Sequence, residues 1–141
     1  GYIAERESLY AVIREHQQQL IVLSGDTHNA WENALFDQDG NAMGTELATA
    51  SVSSPGLEKL LRLPPAQWPA VEAGFTQLIE HLRYSNIGDR GYLLATFERE
   101  QCTAEWIYVD TVAHRDYQQR PKRFRKRLIS RQHHAITPRN S

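Results

Sequence analysis

The chain has 141 residues, with 16 Lys and Arg against 17 Asp and Glu, for a formal net charge of −1. At 40% hydrophobic and 23% charged residues it can bury a core, about two-thirds of its unfolded surface for one domain of this size, which excludes a wholly disordered, collagen-like or coiled-coil chain. No apolar run approaches the roughly 20 residues of a membrane-spanning helix, and a single cysteine, Cys102, excludes an internal disulfide framework and a Cys-based zinc finger.

The chain opens Gly1-Tyr2-Ile3-Ala4, without an initiator Met or a targeting segment, which reads as a piece of a longer protein. Residues 2–17 space Tyr2, Leu9, Val12 and Ile13 among charged residues, predicting a polar helix with one buried stripe. Leu20-Ile21-Val22-Leu23, closed by Ser24-Gly25-Asp26, predicts a central strand buried on both faces. Asp39-Gly40 then predicts a hairpin that pairs residues near 34–37 with residues near 43–47, the second strand ending at Ser53-Ser54-Pro55-Gly56. Residues 57–68 read as loop. Pro69 fits the first turn of a helix carrying Val71, Phe75, Leu78, Ile79 and Leu82 at helical spacing. Two last strands, 91–98 and 103–112, are expected to pair antiparallel about a polar turn at Glu100-Gln101. The expectation is an α/β chain with a mixed sheet, two main helices and about five strands.

After residue 112 the composition changes. Arg120, Lys122, Arg123, Arg125, Lys126, Arg127 and Arg131 cluster with few large apolar residues, so 113–141 reads as a basic extension that is disordered or forms one short helix. Such a cluster could make salt-dependent contacts to nucleic acid or another polyanion. Composition alone favours a solvated extension over that alternative, and nucleic acid is not the expected partner.

The most informative stretch is Ser24-Gly25-Asp26-Thr27-His28-Asn29. It follows a strand, and the carboxyl ends of strands are where open α/β sheets collect ligands. Gly25 permits a sharp turn, after which Asp26 and His28, two residues apart, could converge on one point. Carboxylate oxygen and imidazole nitrogen suit Zn, Mn or Fe. Spacing alone also fits a turn closed by an Asx hydrogen bond, with His28 a plain surface residue.

The stretch resembles the C-terminal signature of the PhoD-like alkaline phosphatases, a branch of the calcineurin-like metallophosphoesterases. Three more segments resemble that family in order: Gly1-Tyr2 with Glu5-Arg6, Glu46-Leu47-Ala48-Thr49 with Ser51-Val52-Ser53-Ser54-Pro55-Gly56, and His81-Leu82-Arg83-Tyr84 with Arg90-Gly91-Tyr92. The resemblance covers residues 1 to about 112. It implies the C-terminal half of a four-layer αββα sandwich. It also implies a phosphate ester substrate and a periplasmic or secreted parent, in which metal ions (Fe, Ca, Mn or Zn) activate a water. Asp26 and His28 map onto the metal-binding Asp and His of the family's G-D-x-H; Asn29 matches without a ligand role. The family often has Asn-Pro where this chain has Ile79-Glu80, so no role is carried to His81, and the family's upstream ligands have no counterpart here. A half-sandwich of this kind is expected to fold without catalysing, and to cover its open sheet face by self-association, strand exchange or the basic tail.

The remaining candidates read as structural. His16 ends the first helix, and His114, His133 and His134 belong to the extension. Arg90 reads as a surface residue at strand entry, and Cys102 as an ordinary thiol in the last turn. Trp106 and Tyr108, on one strand face, read as core. Ser51, Ser53 and Ser54 have no His/Asp pattern to activate a nucleophile.

Overall fold

The computed structural model describes residues 2–98 and 101–120, and residues 126–129 as backbone. In chain order the elements are helix α1 (Ile3–Glu15), strands β1 (Leu20–Ser24), β2 (Ala30–Phe36) and β3 (Ala42–Ala48), a one-turn helix α2 (Leu57–Leu60), and, after a 3-10 turn at Pro65–Gln67, helix α3 (Trp68–Leu78). Strands β4 (Leu82–Asn86), β5 (Arg90–Phe97), β6 (Gln101–Val109), β7 (Gln119–Arg120) and β8 (Lys126–Ile129) follow.

The first four strands form one sheet in the order β1-β3-β2-β4, with β1 parallel to β3 and the other pairs antiparallel. The second sheet runs β5-β6, with β7 and β8 end to end along the far edge of β6. Both expected hairpins form: Ala34 pairs with Thr45 and Leu35 with Gly44, while Leu93 pairs with Trp106.

The two sheets close on each other. Alternate residues of β6, Cys102, Ala104, Trp106 and Tyr108, are buried against Ala30, Leu47 and Ala50, with Ile21, Tyr84 and Leu93 packed around them. The Trp106 indole N–H donates to the Ala48 carbonyl at 2.8 Å, so its one polar atom is satisfied inside the core. The hydroxyls of Tyr84 and Tyr108 lie 2.6 Å apart between the sheets, and burial holds the Tyr84 phenol up at about 12. The opposite face of the first sheet is covered by α3, where Trp31 meets Phe75 at a centroid distance of 5.9 Å.

Several expectations are corrected. The run at Leu20–Leu23 is an edge strand rather than a central one, paired among the described residues with β3 alone, and Leu23 is 54% exposed. A strand with a neighbour on one side cannot be buried as fully as a central one. In α1 the buried residue is Tyr10, while Leu9 and Val12 are half exposed. A polar contact ties the helix to the hairpin beside it: Arg14 pairs with Asp37. Helix α3 ends at Leu78, so Ile79 and Leu82, expected on it, lie beyond it, and Leu82 opens β4; the rest of β4 and the turn of α2 lie in stretches read as connections. Cys102 is a buried strand residue, not a turn residue, and burial pushes its thiol pKa up. The described part of the extension contributes strands, where disorder or one short helix was expected, and they pair along the edge of β6. The face expected to be open is buried, because this chain carries strands of both sheets. Lys122, Arg123, Arg125, Arg131, His133 and His134, with Glu100 of the expected turn, lie outside the described residues.

Candidate metal centre

The sheet register brings the signature to one end of the sandwich. Ser24 pairs with Ala48, Ala48 with Trp31, and Ala30 with Asn86, so the ends of β1, β3 and β4 meet the start of β2. Gly91 N–H donates to the Ser51 carbonyl at 3.2 Å, which adds the start of β5 to the same end.

Between β1 and β2 the chain reverses within five residues. Thr27 N–H donates to the Gly25 carbonyl at 2.9 Å, closing a three-residue turn around Asp26, whose φ is 71°. His28 is also left-handed, at φ 61°. Such φ values are sparsely populated by non-glycine residues and cluster at functional sites. The sharp turn is therefore carried by Asp26 and His28 and not by Gly25, whose φ is not left-handed. Polar contacts hold the loop: the Trp31 indole donates to Thr27 Oγ1 at 3.0 Å, and Asn29 Nδ2 donates to the Thr27 carbonyl at 2.8 Å.

The segment after β3 docks on this loop. Leu57 N–H donates to Asn29 Oδ1 at 3.0 Å, and His28 Nδ1 lies 2.8 Å from the Pro55 carbonyl oxygen. A carbonyl only accepts, so Nδ1 carries the proton and the lone pair of the neutral ring sits on Nε2. Gly56 leaves no space between the two segments: a Cβ there would meet Asn29 Oδ1 at 2.6 Å and the His28 carbonyl oxygen at 2.8 Å. Two of the sequence segments that resemble the family, 25–29 and 51–56, are thus the two halves of one packed loop pair.

Beneath them lies an ion pair that sequence reasoning missed. Glu58 and Arg90 are 4% and 8% exposed and pair through Oε1 and Nη2. Glu58 Oε2 accepts from Gly56 N–H at 3.0 Å, and Arg90 Nη1 donates to the Gly88 and Asp89 carbonyls at 3.1 Å each. The signal was available in Arg90, a charge entering a strand among Gly88, Asp89 and Gly91, but its partner is 32 residues away in sequence.

Asp26 and His28 are both exposed, on the same loop, outside the core. The Asp26 carboxylate makes no hydrogen bond or ion pair among the described residues, so it is not spent on an Asx turn. His81 lies at the other end of the sheet, its ring 4.6 Å from that of Phe36. Among the described residues no three His, Cys, Asp or Glu side chains converge. A free carboxylate and an imidazole whose Nδ1–H is held by a carbonyl are apt donors for a first-row metal. They fit as two ligands of a larger set.

The sequence pattern of the PhoD-like phosphatases matches residues 1–106. The chain belongs to that family. None of the curated proteins compared with it matches. The solved structure of PhoD is similar with a TM-score of 0.60 and 18% identity, over 84% of this chain and 22% of that one. The likeness is one of fold, and the chain spans about a fifth of the length of the PhoD chain it resembles. The match ends inside β6, so β7 and β8 lie beyond the part that marks this chain as PhoD-like.

Proposed function

We propose that this chain is part of a metal-dependent phosphoric ester hydrolase, in which Asp26 and His28 are two of the metal ligands. The observation that carries the reading is the His28 ring: its Nδ1–H is fixed on the Pro55 carbonyl, so that Nε2 and the Asp26 carboxylate, which have no partner among the described residues, stand as donors on a strained, exposed loop. Metal ions held there would supply Lewis acidity toward phosphoryl oxygens and lower the pKa of water. The chain's own residues bind and orient. Asp26 contributes negative charge, His28 a neutral nitrogen, and Asn29 ties the loop to α2. No side-chain nucleophile is required, and Cys102, buried and with a raised thiol pKa, offers none.

Two protein donors are too few to hold a pair of metal ions with useful affinity. The 141-residue chain alone is therefore expected to fold without turnover, its remaining ligands coming from the rest of the hydrolase. The test is an aryl phosphate ester assay with Mn²⁺, Fe, Ca²⁺ or Zn²⁺, run on this chain and on a longer protein that contains it. Metal-dependent turnover only in the longer protein, abolished by Asp26→Ala and by His28→Ala, is the expected result. Turnover that survives both substitutions would overturn the ligand assignment.

A further inference from the structure

The geometry points to Arg90 as a positioning residue that sets which nitrogen of His28 is free. The connection runs through one peptide group. The carbonyl of Pro55 and the N–H of Gly56 belong to the same plane; the first accepts from His28 Nδ1 at 2.8 Å and the second donates to Glu58 Oε2 at 3.0 Å. Rotating that plane breaks both bonds, because a peptide group turns as a unit. Glu58 is fixed in turn by Arg90 through its other carboxylate oxygen, and Arg90 is fixed by the Gly88 and Asp89 carbonyls.

The outer end of this chain of contacts reaches the basic extension. Asp89 accepts from Asn86 Nδ2 at 2.9 Å, and its other oxygen lies 3.6 Å from Arg120 of β7. Glu58, Asn86, Asp89 and Arg90 are all buried, so every link after Gly56 is shielded from competing water until Arg120. On its Gly56 side the peptide has no side chain to hold it: Gly56 lacks a Cβ, and the gap it sits in admits none. The Glu58–Arg90 pair therefore fixes the orientation of the carbonyl that selects the Nδ1–H tautomer of His28. An imidazole with the opposite tautomer would present an N–H to the metal instead of a lone pair.

This deepens the metal-ligand reading of His28, yet its test needs no metal. Long-range ¹H–¹⁵N spectra of the labelled chain at a pH of about 8, above the ordinary imidazole range, report the tautomer of each histidine ring. In the unaltered chain His28 is expected as Nδ1–H. In Arg90→Met its Nδ1–H fraction should fall by roughly half or more, toward the mixture of an unheld imidazole, with Arg90→Lys in between. A single substitution that orphans a buried charge can fail to fold. The double variant Glu58→Leu with Arg90→Leu removes both charges and should keep the Trp106 near-ultraviolet signal while losing the tautomer. His28 found as Nε2–H in the unaltered chain would overturn the proposal, and so would an unchanged Nδ1–H fraction in a folded variant. Failure of the metal-ligand reading would appear elsewhere, as a fixed Nδ1–H ring that binds no metal.

Discussion

Two tight turns in this molecule carry an aspartate, and they use it in opposite ways. At the hairpin between β2 and β3, Asp37 accepts from the backbone N–H of Asp39 at 3.0 Å and of Asn41 at 2.8 Å, and from Asn41 Nδ2 at 3.0 Å. It also pairs with Arg14, and its side chain is fully covered. The left-handed position of that turn falls on Gly40, at φ 81°, where it costs little. At the other end of the sheet the left-handed positions fall on Asp26 and His28, and the Asp26 carboxylate accepts nothing from the described residues. One aspartate is consumed in making its turn. The other is held in a left-handed backbone, and among the described residues its carboxylate has no partner. That contrast, more than the spacing of Asp26 and His28, is what sets the proposed ligand apart from a structural carboxylate.

The largest test concerns what holds the strained turn. Arg90→Met leaves Glu58 buried and unpaired and should destabilise the fold by about 3–5 kcal/mol, read from denaturant midpoints. A loss under about 1 kcal/mol would mean that the pair is solvated and that the loop rests on other contacts. Next is Gly56→Ala, whose Cβ would lie 2.6 Å from Asn29 Oδ1. It should cost about 2 kcal/mol by forcing the loops apart, with amide shifts concentrated at 25–29 and 55–58.

A smaller effect of the opposite sign sharpens the contrast. Asp26→Gly relieves the left-handed strain and removes no contact among the described residues. It should stabilise by about 0.5–1 kcal/mol while removing one of the two proposed metal ligands. The equivalent loss at Asp37 goes the other way. Hydrogen bonds, foremost from the Asn41 side chain, hold its carboxyl below the ordinary carboxylate range. A lowered folded pKa gives a contribution that is complete above the unfolded value, near pH 4, and is lost as pH falls through the folded one. Midpoints measured from about pH 6 down to about pH 2 should show an acid slope that Asp37→Asn reduces.

Much of the fold was legible because local chemistry and tertiary structure agree. Asp39-Gly40 specified its hairpin, and the alternation of Cys102, Ala104, Trp106 and Tyr108 specified which face of β6 is core. What misled was neighbourhood. An apolar run such as Leu20–Leu23 reads the same in an edge strand as in a central one, and β4, with Arg83, Ser85 and Asn86, carries too few apolar residues to announce itself. Asp26 and His28 could be singled out from a short motif. The loop that docks on them, and the Glu58–Arg90 pair beneath, arise from contacts across 28 to 32 residues that no local pattern encodes.

A paramagnetic titration bears on the contrast between the two turns most directly. Mn²⁺ added to the ¹⁵N-labelled chain should broaden the amides of residues 25–29 and the His28 ring first. Asp26→Ala should abolish that broadening, and residues 37–41 should stay sharp because the Asp37 carboxylate is already occupied. Broadening centred on residues 37–41, or loop broadening indifferent to Asp26→Ala, would contradict the assignment of Asp26 and His28 as metal ligands.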